Sequence, residues 1–281
     1  APEGRSRGNS SRAFGSLAGT WLSKRRILPC LLPLILFICW NLATSSGLAP
    51  EYLLPSPRTV WETVCAYMGA VSEGYADAYA GRFWGDLSAS LGRVGSGYLL
   101  AVIPGVALGL ASGRSPALAS LLSPIINGVR AVPGISWLPL ALLWLGIGFR
   151  ATVFLIALAG FFPAYLNAAA GAASVPPVLI RAGRMLGFGR RAIFFRVVIP
   201  SAMPQVRTGL RVALGMSFSY LVLGELTGVP DGLGAMIMDA RLAGRVDLLV
   251  SGIILIALVG WLCDVLLMRA LSAVSVSLRR Q

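Results

Sequence analysis

Six long apolar runs, at about residues 27–44, 87–111, 117–145, 151–173, 206–226 and 247–268, leave this chain few ways to fold. Each comes close to the ~20 residues that a helix needs to cross a hydrocarbon core ~30 Å thick. Inside a bilayer every backbone N–H and C=O must be satisfied within the protein, and a helix does this segment by segment. The expected fold class is therefore all-α, a polytopic membrane protein with about six transmembrane helices. Hydrophobic residues make up 56% of the 281 and charged ones 12%, too few to solvate a soluble domain of that size.

The runs are not equivalent. Pro124, Pro133-Gly134 and Pro139 interrupt the third, which predicts two pieces with an unwound middle. Irregular backbone at membrane depth is tolerated only where protein or a water-filled cavity covers it, so residues 130–139 either line a pathway or kink a span packed on its neighbours. Gly105, Gly109 and Gly113 recur at helical spacing and suit close helix packing. Residues 1–23, rich in Ser, Gly and Arg, read as a disordered cytoplasmic tail. Lys24-Arg25-Arg26 then introduces a first membrane helix rather than a signal peptide, and residues 24–281 form one transmembrane domain. Leu54 to Trp61 reads as a turn leading into an interfacial helix.

Charge sets the expected orientation. Arg5, Arg7, Arg12, Lys24, Arg25 and Arg26 at one end and Arg269, Arg279 and Arg280 at the other put both termini on the cytoplasmic side, which requires an even number of spans. Six spans place residues 181–207 inside, and the acid-rich segments 45–86 and 227–246 outside. The net charge of +13 then reflects topology rather than a nucleic-acid surface, because the arginines flank apolar runs. Multi-pass insertion in a bacterial cytoplasmic membrane is expected.

Several chemistries are excluded. The chain has no histidine, so no His-based acid–base pair and no common zinc site can be built. Lys24 is its single lysine, so no phosphate-binding loop ending in Gly-Lys-Ser/Thr exists. Cys30, Cys39, Cys65 and Cys263 show no paired spacing. A lipid-directed membrane enzyme would need a nucleophile, base or metal set that these residues do not supply. The alternative reading is a stand-alone secondary transporter or channel, which would usually place an ion-coordinating acid in mid-membrane, whereas Glu225 and Asp264, the acids near spans, sit toward span ends.

One segment points to an outside engine. Residues 181–204 are basic, amphipathic and acid-free: a short helix from Pro177 to Met185, a Gly187-Phe188-Gly189 break, a second short helix through Ile199, then Pro200 and Pro204. Arg181-Ala182-Gly183, Gly187 and Val198-Ile199-Pro200 resemble the coupling motif of the membrane subunits of binding-protein-dependent ABC importers, with Arg184-Met-Leu-Gly187 in the common local form. The run from Arg130 through Trp137 to Gly148, Ser90-Leu-Gly-Arg93, Glu225-Leu, and Gly232-Leu-Gly234 before Asp239-Ala-Arg241 are similar to the nitrate/sulfonate/taurine branch. The likeness covers roughly residues 27–270. Two departures stand out: Arg181 replaces the motif's acidic residue and Gly183 its second alanine, so no contact of that carboxylate carries over.

The resemblance implies a permease subunit that works as a homodimer with a cytosolic ATP-binding subunit and an extracytoplasmic solute-binding protein, with ATP and Mg held by the ATPase and no cofactor here. It makes residues 175–204 the coupling loop, with Arg181, Ala182, Gly183, Arg184, Leu186, Gly187, Arg190, Arg191 and Pro200 as its functional positions. Met185, Leu186, Phe188, Ile193 and Phe194 are expected to fill a groove on the ATPase. Between Asp86 and Glu225 the sequence has no acidic residue, which suits a small anion such as nitrate, a sulfonate, taurine or bicarbonate. Candidate pathway residues are Asn127, Arg130, Ser136, Trp137, Asn167, Ser217, Tyr220 and Glu225, the last as a gate or an arginine's partner. Arg93 and Arg211 are expected to snorkel to the cytoplasmic interface.

Overall fold

Glycines decide how the central helices pack. The computed structural model describes residues 31–47, 50–69 and 79–279, and no strand occurs among them. Helix α3 (Phe83–Arg114) lies parallel to α6 (Phe149–Ala173) along a seam of small residues. A Cβ added to Gly109 would stand 2.4 Å from the Tyr165 carbonyl oxygen, and one on Gly113 would stand 2.3 Å from that of Ala169. The backbones therefore meet directly, and the expected packing role of Gly105, Gly109 and Gly113 holds. Helix α9 (Ile199–Glu225) runs antiparallel to α6 on its other side, with Gly209 against Asn167 and Pro163, and Gly224 against Thr152. Small-residue interfaces suit a bilayer, where apolar side chains gain little by leaving lipid.

The chain forms two units, residues 1–61 and 62–281. In the first, α1 (Leu31–Ser45) presents exposed leucines and isoleucines, and Trp40 Nε1 donates 3.1 Å to the Pro55 carbonyl. The helix α2 (Pro57–Met68) begins in this unit, where the interfacial helix was expected. The tail 1–23 lies outside the described residues.

Helices α3, α6 and α11 (Val246–Arg279) are long and apolar enough to cross a membrane. The predicted third span is a bent pair: α4 (Pro116–Ala131) meets a 3₁₀ turn (Gly134–Trp137) continuing into α5 (Leu138–Leu145) at 87°. Helix α9 has 27 residues, but Gln205, Arg207, Thr208 and Arg211 load its first half with polar groups. Its other face is buried, through Val206, Gly209, Ala213, Leu214, Ser217 and Leu221, while of the polar groups Arg207 reaches the Leu271 carbonyl and Arg211 pairs with Asp264 of α11. The six-span expectation is thus met in part among the described residues.

Two departures concern helix ends. The chain does not break at Pro200. Instead α8 (Arg190–Ile193), a π-helical turn (Phe194–Val198) and α9 follow without interruption. Pro200 has no N–H to give and its ring crowds the carbonyl four residues back, so a wider turn just ahead of it relieves the clash. The expected outer loop 227–246 contains α10 (Leu233–Leu242), whose Leu233, Met236 and Ala240 form a core with Leu248 and Leu255 of α11 and with Tyr67 and Phe83.

Candidate functional site

At one end of the α3–α6–α9 stack, α7 (Pro177–Met185) and α8 form a hairpin around Gly187. Gly187 has φ +78°. Its N–H donates to Arg184 O at 3.0 Å, and the N–H of Phe188 to Gly183 O at 3.0 Å. This pair of bonds is the Schellman ending, which satisfies the last carbonyls of α7 and needs a residue that accepts positive φ. Ile180, Ile193 and Val198 are buried with Leu110, Ala172 and Ala202, so the hairpin is anchored to the ends of α3, α6 and α9. Ile193 thus points into the protein's own core and not toward a partner, contrary to the groove-filling expectation, while Phe188 and Phe194 pack half-buried beside it. Met185 and Leu186 stay 88% and 74% exposed. Arg181, Ala182, Arg184, Arg190 and Arg191 of the same hairpin are all exposed.

A second feature is a cavity of about 410 Å³ formed where the α4–α5 pair bends. Arg130, Gly134, Trp137, Asn167, Met216 and Tyr220 are among its lining, otherwise mainly apolar. Arg130 is the charged side chain in it, steadied by Asn127 Oδ1 at 3.4 Å from Nη2. Asn167 Nδ2 donates 2.8 Å to the Pro163 carbonyl, which leaves its own carbonyl oxygen free. Gly134 abuts the Tyr220 ring so closely that any Cβ there would overlap the hydroxyl. The unwound middle read from the prolines is therefore the wall of a cavity.

The opposite end of the stack holds a buried ionic knot. Glu225, fully buried, accepts 2.7 Å from Arg93 Nη1, 2.8 Å from the Gly234 N–H and 2.8 Å from Ser90 Oγ. Arg93 also donates to the Asp231 carbonyl at 2.9 Å and pairs with its carboxylate. Asp86 Oδ1 accepts from the Gly232 N–H at 3.0 Å, and Ser90 Oγ from Leu233 N–H at 2.9 Å. Side chains of α3 and α9 thus cap the free N–H groups that open α10, where negative charge is favoured. Tyr67 donates 2.7 Å to Asp86 Oδ2, and burial, then that bond, raise its hydroxyl well above the ordinary tyrosine value, so it remains a donor.

The comparisons decide the family. Residues 105–280 match the family described as binding-protein-dependent transport system inner membrane component. The chain belongs to that family. It is 38% identical over 233 residues to the taurine transport system permease protein TauC of Escherichia coli (strain K12), covering 83% of this chain and 82% of that one. It is 32% identical over 267 residues to the bicarbonate transport system permease protein CmpB of Synechocystis, covering 92% of each. A chain of the inward-facing MetNI methionine ABC transporter shares the fold, with a TM-score of 0.54 at 20% identity over 68% of this chain and 93% of that one.

In this ABC importer permease, a multi-pass inner-membrane subunit, the sequence-derived site residues separate into groups. The coupling-loop residues lie together on the hairpin, except Pro200, which sits in the first turn of α9. Of the pathway candidates, Arg130, Trp137, Asn167 and Tyr220 share the cavity and Asn127 touches Arg130. Ser136 is exposed outside its lining, and Ser217 is fully buried, its hydroxyl donating to Ala213 O at 2.8 Å. Glu225 belongs to the ionic knot, at the other end of α9 from the hairpin. Arg93 is buried there rather than snorkelling, because two carboxylates meet it. Arg211 stays exposed, and its Nε and Nη2 make a fork with Asp264 of α11 at 2.9 and 2.8 Å. Sequence reasoning does not find Ser90 as a partner of Glu225, Asp231 as a partner of Arg93, or Asp86 as the acceptor of the Gly232 N–H, and the Ser90-Leu-Gly-Arg93 run signals only the first of these.

Proposed function

We propose that this permease imports a small anion through a path that includes the Arg130 cavity, driven by a separate cytosolic ATPase docked on the α7–α8 hairpin. The observation that carries the reading is the hairpin: a rigidly capped, exposed apolar tip at Met185 and Leu186, accompanied by exposed arginines of the same hairpin and rooted in the ends of three helices. Motion of a body clasping that tip is transmitted to α3, α6 and α9, which satisfies the requirement that the ATPase's two states bias the pathway differently. Two copies of this chain complete the channel, and an extracytoplasmic binding protein delivers the solute. ATP and Mg are bound by the ATPase subunit, in keeping with a sequence that has no phosphate-binding loop ending in Gly-Lys-Ser/Thr. Both termini and the hairpin face the cytoplasm, and the ionic knot faces outward.

An anion is favoured by Arg130, a lone cation in a mainly apolar cavity, and by the absence of acids between Asp86 and Glu225. Taurine and bicarbonate, the solutes named for two relatives, carry a sulfonate and a carboxylate-like oxyanion that a guanidinium fork matches. Purification of the chain from its native membrane in mild detergent, with mass spectrometry of its companions, tests the assembly. A stoichiometric ATP-binding subunit is expected, with ATP hydrolysis rising on addition of the loaded binding protein. A chain that reproducibly purifies alone would overturn the reading.

A further inference from the structure

Beside the hairpin lies a second cavity, of about 320 Å³, lined by Arg114, Arg184 and Arg190 over a floor of Ile180, Ile193 and Phe194. Three cations, all on exposed residues, thus converge on one small space, and none of their guanidinium groups makes a hydrogen bond or ion pair with a described residue. The sequence supplies no carboxylate nearby, since residues 87–224 contain none. Elsewhere two arginines that reach other helices meet carboxylates, Arg93 with Glu225 and Asp231, and Arg211 with Asp264, while Arg207 meets only the Leu271 carbonyl. Water screens part of the repulsion among these exposed charges, and an anion joining them relieves the rest, since guanidinium forks present donors in the spacing of phosphate oxygens.

We propose that this cavity binds a phosphate-type oxyanion, either the headgroup phosphate of an anionic lipid or a free cytosolic phosphate. Arg114 ends a helix long enough to cross the membrane, so the cavity lies at the depth where headgroups sit. Its remaining walls come from α7, α8 and the π turn. An anion held there ties the hairpin to the end of α3 and fixes the base of the coupling element, while the solute pathway lies elsewhere. The inference does not depend on which solute is carried.

The test uses the full chain with its ATPase subunit in detergent, probed by native mass spectrometry with phosphatidylglycerol or phosphatidylcholine, and by equilibrium dialysis with radiolabelled inorganic phosphate. Saturable phosphatidylglycerol binding, preferred over phosphatidylcholine, weakened about tenfold in Arg114→Gln and partly restored in Arg114→Lys, is expected if the source is lipid. Saturable inorganic phosphate binding with the same variant pattern and no lipid preference would support a cytosolic source. Arg181→Gln, an exposed arginine of the same hairpin outside the cavity, should leave either binding unchanged. Equal binding in wild type and Arg114→Gln, or no binding of either probe, would overturn the proposal. Binding to the free chain that vanishes once the ATPase docks would also overturn it, since acidic side chains of that subunit would then be the occupant.

Discussion

At Gly183 and Gly232 the same residue type answers to different physics. A Cβ on Gly183 would meet Ile193, Val197 and Phe188 at 3.5 Å or more, ordinary contact distance. Gly183→Ala, which restores the small residue usual in the motif, is expected to leave uptake and detergent stability within about 0.5 kcal/mol of wild type, measurable by thermal unfolding. Gly232 has φ +116°, and a Cβ there would stand 2.5 Å from Glu225 Oε1 and 2.7 Å from Arg93 Nη1. Gly232→Ala therefore strains the backbone and wedges the ionic knot apart. A loss of about 2 kcal/mol or more, seen as a lower unfolding temperature, is expected. The side chain of Arg181, which stands where the motif has an acid, is exposed and makes no hydrogen bond or ion pair with a described residue.

Among the elements, α10 and the α3–α6 seam carry the clearest expectations. Helix α10 is held by charge from two other helices, so Arg93→Gln leaves Glu225 buried without its cation. Removing one partner of a buried pair costs about 3–5 kcal/mol, so this variant should lose folded protein in detergent, and Arg93→Gln with Glu225→Gln together should recover part of it. Gly109→Leu should push α3 off α6 and lower thermal stability by about 1–3 kcal/mol, without needing any effect on the solute site. Much of this level was legible in the sequence. Apolar runs gave the long helices, glycine spacing gave the seam, and Gly187 gave the hairpin turn. What escaped is non-local. The partner of Arg93 lies 132 residues away, and nothing in the spacing of the sequence joins the two. Helix α10 is not visible in the sequence, where polar Asp239 and Arg241 hide how completely Leu233 and Met236 are buried. The π turn depends on how Pro200 is accommodated, which periodicity does not reveal.

For the whole molecule the question is how events at one end of the helix stack reach the cavity and the far end. The cavity lies between the hairpin and the ionic knot along α6 and α9, since Asn167 and Met216 fall between those ends. Arg130→Gln should weaken anionic solute uptake by at least about tenfold in apparent affinity, and Arg130→Lys by less, when flux is measured against solute concentration in proteoliposomes. The decisive variant is Gly187→Val. A β-branched side chain at φ +78° costs about 1–3 kcal/mol locally and distorts the hairpin without touching the spans. Uptake and ATP hydrolysis should be followed together in proteoliposomes holding the permease, its ATPase and the binding protein. Membrane insertion at wild-type levels with uptake abolished is the expected result. Uptake at the wild-type rate would contradict the coupling role of the hairpin.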